Sequence, residues 1–97
     1  MTKWRVEVLP VARRELAQLR DAATAGVLRE ALETLTELAD DPFPFDSILL
    51  EGYTDLYRVP FYRGRYRIVY QVSTKRRSVV ITRVRPRAIA YQGLEPR

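Results

Sequence analysis

The chain has 97 residues and a formal net charge of +5, enough for one domain with a modest hydrophobic core and too few for a second. It contains neither cysteine nor histidine, which excludes disulfides, thiolate nucleophiles, Cys/His zinc sites and the side chain most often used for proton transfer near neutral pH. No apolar run approaches the roughly 18 residues of a membrane span, and residues 1–4 lack the features of a secretory signal, so we expect a soluble, cytoplasmic protein.

Hydrophobic periodicity predicts a strand and two helices in the first half of the chain. Alternation over residues 4–9 indicates a short strand, and Pro10 ends it and suits the first turn of an amphipathic helix. A second and stronger apolar stripe over residues 28–40 completes a helical hairpin. Residues 41–54 begin with Asp-Pro, which stops a helix, and are expected to form a long loop.

Three β-rich runs follow the loop, over residues 56–61, 66–72 and 78–84. The short turns between them indicate consecutive hairpins and therefore an antiparallel sheet. The order β-α-α-β-β-β predicts a single α+β domain over residues 1–97, with a mostly antiparallel sheet covered on one face by the helical hairpin.

Positive charge is concentrated in the second half of the chain. Residues 1–51 contain six basic and ten acidic residues, whereas residues 52–97 contain eleven basic and two acidic ones, a net charge of +9. All six tyrosines also lie in the second half. Arginine interleaved with aromatic rings is typical of surfaces that bind nucleic acid, although composition alone leaves open a merely solvated, arginine-rich surface.

Side-chain alternation directs Arg58 and Arg67 to the face of the sheet opposite the helices. In the last run Val79 and Ile81 share parity with Arg83 and Arg85, whereas Val80, Thr82 and Val84 share the other parity. Alternation therefore leaves the register of this run open. Guanidinium is always protonated, binds a phosphodiester bidentately and stabilises the extra charge of a pentacoordinate transition state. RNA supplies its own nucleophile, the 2′-hydroxyl, so its cleavage requires neither a metal nor histidine.

Five stretches of sequence and one further residue carry a more specific pattern. They are residues 12–16 (Ala-Arg-Arg-Glu-Leu), 49–52 (Leu-Leu-Glu-Gly), 56–59 (Leu-Tyr-Arg-Val), 64–72 (Gly-Arg-Tyr-Arg-Ile-Val-Tyr-Gln-Val), 84–87 (Val-Arg-Pro-Arg) and Tyr91. Together they resemble the RelE/ParE toxin superfamily of type II toxin–antitoxin systems, with the closer likeness to RelE-like messenger RNA interferases. The resemblance implies the β-α-α-β-β-β fold of a small microbial ribonuclease. RelE-like members cleave messenger RNA in the ribosomal decoding site, whereas ParE-like members inhibit DNA gyrase.

The resemblance implies four catalytic residues. Arg58 stands at a basic position, often lysine, that stabilises the transition state, and Arg67 matches the arginine that holds the scissile phosphate. Arg87 matches the arginine near the leaving 5′-oxygen, and Tyr91 matches the catalytic tyrosine, expected near the 2′-hydroxyl. Pro60 departs from the pattern, because the better-known RelE enzymes have a second lysine there.

Four further arginines are predicted to contact RNA, namely Arg63, Arg65, Arg83 and Arg85. Three of them, Arg63, Arg65 and Arg85, are also candidates to replace the cation missing at position 60. A second departure is Pro86, where many relatives have a Gly-His-Arg or Gly-Lys-Arg turn. Each of these residues also has a plain structural interpretation, as a charge on the sheet surface or a packing residue in the tail.

The resemblance implies partners as well. We expect a cognate antitoxin, acidic in its toxin-binding segment, and the ribosome with its messenger RNA, and we expect no metal, no small-molecule cofactor and no membrane. Two alternatives stay open: a ParE-like inhibitor of DNA gyrase, and a toxin-fold protein with little catalytic activity. The retained arginines and Tyr91 favour the nuclease, whereas Pro60 and the absence of histidine favour the alternatives.

Overall fold

The computed structural model describes residues 3–22 and 25–93. Its elements, in chain order, are β1 Arg5–Val8, α1 Pro10–Ala22, α2 Ala25–Asp40, β2 Ile48–Leu49, β3 Leu56–Phe61, β4 Tyr66–Ser73, β5 Ser78–Pro86 and a single 3-10 turn, Arg87–Ile89. The predicted α+β class, the helical hairpin and the three C-terminal strands are confirmed. One element is added, because β2 lies inside the segment predicted to be a loop.

The five strands form one sheet in the order β1-β5-β4-β3-β2. β3, β4 and β5 pair as consecutive antiparallel hairpins, and β1 joins one edge by pairing in parallel with β5. At the other edge, β2 pairs with β3 through Ile48 opposite Arg58 and Leu49 opposite Tyr57. Two paired residues are too few to show alternation in a sequence, which is why β2 was not predicted.

Both helices pack on the same face of the sheet, and the core lies between the two layers. Ala12 of α1 and Ala31 and Leu38 of α2 are fully buried against apolar side chains of β3, β4 and β5. Burial of each larger side chain contributes about 1.5–3 kcal/mol. Within the described part of the chain, neither helix is long and apolar enough to cross a membrane.

Tyr70 of β4 joins this core to the loop after α2. The side chain is fully buried, and its hydroxyl donates a hydrogen bond to the carbonyl oxygen of Pro42 at 2.8 Å. Burial raises the pKa of Tyr70 from 10 to about 12, because the ionised phenolate is poorly solvated there. The one polar atom that this side chain brings into the core is therefore neutral and hydrogen-bonded at neutral pH.

A β-bulge between β4 and β5 decides which side chains of β5 face the helices. Tyr70 lies opposite Ile81, but Val69 lies opposite Arg83, so Thr82 is an extra residue on β5. The core positions of β5 are accordingly odd-numbered before the bulge and even-numbered after it. This switch explains why alternation along the sequence left the register of the last strand open.

Candidate functional site

The register of β3, β4 and β5 places several arginines on the face of the sheet away from the helices. Arg67 lies between Pro60 of β3 and Arg85 of β5, directly opposite both. Arg58 lies opposite Val69, two residues after Arg67, so Arg58 and Arg67 project from the same side as alternation predicted. We call this surface the open face.

Arg67 is not displayed at the surface but is buried, with 9% of its area exposed. Its Nη1 donates to the carbonyl oxygens of Gly64 at 2.5 Å and Tyr66 at 3.1 Å, so the guanidinium lies against the β3–β4 turn. Its Nε is buried and has no hydrogen-bond partner, and no carboxylate among the described residues pairs with this cation. A buried charge without a counterion is costly, and an anion bound beside it removes part of that cost.

The β3–β4 turn that receives Arg67 has an unusual backbone. Tyr62, Arg63 and Gly64 have φ angles of 52°, 58° and 75° in succession. The left-handed conformation costs an ordinary residue roughly 1–2 kcal/mol, so surrounding contacts must hold it. Glu30 of α2 provides one, because its Oε1 accepts a hydrogen bond from the backbone N–H of Tyr62 at 3.1 Å. The positions of the turn arginines are therefore set in part by α2.

A surface cavity of about 530 Å³ lies where this turn meets the end of β5. Its lining residues are Arg63, Gly64, Arg65, Pro86, Arg87 and Ala88. The backbone N–H of Arg87 donates to the carbonyl oxygen of Arg65 at 2.8 Å and fixes the two segments side by side. The three arginine side chains are exposed, and none forms an ion pair within the described residues. We call this cavity, with its three cations, the turn pocket.

Arg83 and Arg85 lie differently from the turn-pocket arginines, because both approach Glu15 of α1. Arg85 Nε donates to Glu15 Oε2 at 2.5 Å, and Arg83 Nη1 lies 3.6 Å from the same oxygen. Arg85 Nη1 also donates to the carbonyl oxygens of Ile89 at 3.4 Å and Gln92 at 3.0 Å. Only Nη2 of Arg85 has no partner in the described structure, so most of its hydrogen-bonding capacity is used inside the protein.

The predicted site residues are therefore only partly brought together. Arg67 and Arg87 converge on the β3–β4 turn, whereas half-buried Arg58 lies one row further along the open face, beside Val69. Tyr91, 40% exposed, is carried by the turn that follows β5. Among the described residues, no group of three or more acidic side chains is placed to hold a metal ion.

Two carboxylates that contact the site segments, Glu15 and Glu30, were not among the predicted site residues. A signal for each was present. Glu15 follows Ala12 by three residues and Glu30 follows Val27 by three, so both glutamates lie beside the buried stripe of their helix. A charged residue at such a position predicts a partner on the layer beneath the helix.

Comparison with known families agrees with this architecture. Residues 6–91 match the family described as the ParE toxin of type II toxin-antitoxin system, parDE. The chain belongs to the RelE/ParE toxin superfamily. It is a toxin of a type II toxin–antitoxin system, and the superfamily predicted from the sequence is confirmed. No curated protein sequence matches this toxin significantly.

Solved structures similar to this toxin include an isolated toxin and toxin–antitoxin complexes. The archaeal RelE–RelB complex from Pyrococcus horikoshii is 34% identical with a TM-score of 0.72, covering 93% of this chain and 100% of the other. The toxin–antitoxin complex RelBE2 from Mycobacterium tuberculosis is 25% identical with a TM-score of 0.69, covering 88% and 99%. The isolated RelE toxin from E. coli, 22% identical with a TM-score of 0.69 over 86% and 83%, supports the fold.

Proposed function

We propose that this toxin is a ribosome-dependent endoribonuclease that cleaves messenger RNA without a metal. The observation that carries the proposal is Arg67, a buried guanidinium with an unpartnered Nε and no carboxylate counterion. A phosphodiester at the adjoining surface supplies the missing negative charge. The turn pocket adds three exposed cations beside it, and this grouping of unpaired arginines suits a polyanion better than an apolar ligand.

The proposed chemistry assigns one task to each of the four catalytic residues. The 2′-oxygen of the ribose bonds to phosphorus while the bond from phosphorus to the 5′-oxygen breaks, which leaves a 2′,3′-cyclic phosphate and a 5′-hydroxyl. Arg67 holds the scissile phosphate, and Arg58 stabilises the charge that develops on it. Arg87 neutralises the leaving oxygen, and Tyr91, hydrogen-bonded to the 2′-hydroxyl, assists the transfer of its proton to water as the 2′-oxygen bonds to phosphorus. Arginine holds its proton too tightly to be a good general acid, so water or the ribosome protonates the leaving group.

The other predicted RNA contacts are distributed unequally in this proposal. Arg63 and Arg65 contact the RNA backbone at the turn pocket and supply positive charge near the position of Pro60. Arg83 shares Glu15 with Arg85, and Arg85 has only Nη2 to offer. We therefore assign the larger share of RNA binding to the β3–β4 turn.

A cognate antitoxin is part of the same proposal. The similar structures from Pyrococcus horikoshii and Mycobacterium tuberculosis are toxin–antitoxin complexes. An acidic antitoxin segment lying over the open face would pair with the charge of residues 52–97 and block access of RNA to Arg67. The proposed location is the cytoplasm, where ribosomes and antitoxin are both present.

Primer extension on a defined messenger RNA in a translating extract tests the nuclease. Wild-type toxin is expected to give discrete, translation-dependent cuts that end in a 2′,3′-cyclic phosphate. Arg67→Ala is expected to reduce the cleavage rate by about 100- to 1,000-fold, the usual cost of one preorganised charge contact, and Tyr91→Phe tests the proton role. Arg76→Ala is a matched control, because Arg76 is exposed in the other hairpin turn. No cuts from a preparation that arrests growth would rule out the nuclease.

Inhibition of DNA gyrase is the second candidate. The match of residues 6–91 to the ParE toxin family favours it, as does Pro60 on the open face. A supercoiling assay with purified gyrase separates the two candidates. Inhibition by wild-type toxin in the absence of RNA cleavage would establish the second one, and absence of both activities together with normal growth would indicate a toxin fold with little activity.

A further inference from the structure

Glu15 of α1 contacts the sheet at the point where β5 loses its neighbour. The pairing of β1 with β5 ends at Val8 opposite Ile81, so the outward backbone N–H of Val84 has no strand to bind. Glu15 Oε1 accepts that N–H at 2.8 Å, while Oε2 accepts from Arg85. One carboxylate thus caps an open strand edge, accepts a hydrogen bond from Arg85 and forms a longer ion pair with Arg83.

Arg85 links Glu15 to the C-terminal turn that follows β5. Its Nη1 donates to the carbonyl oxygens of Ile89 and Gln92, on either side of Tyr91. The turn's own backbone hydrogen bonds are long, 3.4 Å from Ala90 to Arg87 and 3.2 Å from Gln92 to Ile89. The start of the turn is tied to the β3–β4 turn by the N–H of Arg87, which donates to the carbonyl oxygen of Arg65 at 2.8 Å, and Arg85 supplies the side-chain hydrogen bonds that attach its later part, residues 89–92.

The contacts of Glu15 lie in a sheltered environment. Only 11% of the Glu15 side chain and 19% of the Arg85 side chain are exposed, compared with 67% and 59% for the surface pair Lys3–Asp40. Exposed pairs contribute little to rigidity, whereas sheltered, charge-assisted hydrogen bonds are stronger and hold their geometry. The Glu15–Arg85 contact therefore has the properties of a fixed structural link.

We propose that Glu15 is a positioning residue that acts through Arg85 on residues 87–92. We call Glu15, Arg85 and the two turn carbonyls the latch. The latch holds the turn so that Arg87 and Tyr91 are presented to the scissile phosphate, and Glu15 itself does not touch RNA. The consequence for cleavage rests on the proposed nuclease function, whereas the latch is a property of the fold and is tested separately.

Amide hydrogen exchange tests the latch without any activity. Glu15→Gln keeps an acceptor for the Val84 N–H and loses the charge that binds Arg85. We expect exchange at Ala90 and Gln92 to become at least about tenfold faster, while the β4 amides keep their wild-type rates. Glu33→Gln is the matched control, since Glu33 is exposed and pairs with Arg29 at 3.8 Å on the surface. Unchanged exchange at Ala90 and Gln92, or a uniform acceleration at all amides, would overturn the proposal.

Cleavage by the same variants tests the positioning role. We expect Glu15→Gln and Arg85→Gln each to lower kcat by about tenfold with little change in KM, and the double variant to be no worse than the worse single one. Glu33→Gln should cleave like wild type. If wild-type toxin cuts RNA and Glu15→Gln cuts at the same rate, the positioning role is wrong. If wild-type toxin cuts nothing, the nuclease proposal fails, and the exchange experiment alone decides on the latch.

Discussion

The two faces of β4 bury polar groups in opposite ways. On the helix face, Tyr70 is fully buried, neutral and hydrogen-bonded to Pro42. On the open face, Arg67 is buried with its charge uncompensated and one donor unpartnered. A satisfied buried group stabilises the fold, whereas an unsatisfied one costs stability and is expected where a ligand completes it. Burial alone therefore does not distinguish structure from function, and the hydrogen-bond partners do.

Substitution of one side chain on each face of β4 gives the largest expected difference between effects on cleavage and effects on stability. Arg67→Met keeps the length of the side chain and removes the charge, so RNA cleavage should fall by about 100- to 1,000-fold while the free energy of unfolding stays within about 1 kcal/mol of wild type. Tyr70→Phe should leave cleavage unchanged and lower the free energy of unfolding by about 1 kcal/mol, because the Pro42 carbonyl loses its donor. Single-turnover cleavage and urea unfolding check both variants. A large loss of stability in Arg67→Met with normal cleavage would reverse the assignment of the two faces.

The sequence correctly predicted which face of the sheet carries Arg58 and Arg67, but it did not predict the hydrogen-bond partners of the site arginines. Alternation placed Arg58 and Arg67 on one side because the register of β3 with β4 is regular. It left the register of the last strand open, because the bulge at Thr82 changes the parity of the core positions and has no signature in the composition. The partner of Arg85 was not predicted because Glu15 is 70 residues away in the chain. Contacts of this kind depend on which helix covers which strand, and local periodicity does not encode that pairing.

The pH dependence of unfolding tests the role of Tyr70 on the helix face. The pKa of Tyr70 is raised to about 12 by burial, whereas an unfolded tyrosine ionises near 10, so the folded state holds this proton more tightly. The resulting stabilisation is complete below about pH 10 and is lost as the pH rises towards 12, an effect of about 2–3 kcal/mol. Urea unfolding between pH 9 and 12 measures it. The advantage of wild type over Tyr70→Phe, about 1 kcal/mol at neutral pH, should disappear and then reverse over that interval, and a difference independent of pH would contradict the assignment.

Substitutions in the two hairpin turns, residues 62–65 and 74–77, have the smallest expected effect, a change in affinity for ribosomes. They are also the most direct test of RNA binding at the open face. Both turns are rich in cations. In residues 62–65 three successive positive φ angles and a tether to Glu30 present the arginines beside Arg67, whereas residues 74–77 lie at the opposite end of β4. The two turns are similar in positive charge but differ in backbone geometry and in their distance from Arg67.

Removal of two charges from each turn separates charge from geometry. Arg63→Ser with Arg65→Ser should weaken binding to ribosomes programmed with a messenger RNA carrying a 2′-deoxy nucleotide at the cleavage position by about tenfold, and should lower the salt-dependence slope by about 1.4. Lys75→Ser with Arg76→Ser removes the same charge and should change affinity by less than about twofold. Equal losses from the two turns would mean that the toxin binds through its overall positive charge, and that the strained β3–β4 turn contributes nothing specific to recognition of RNA.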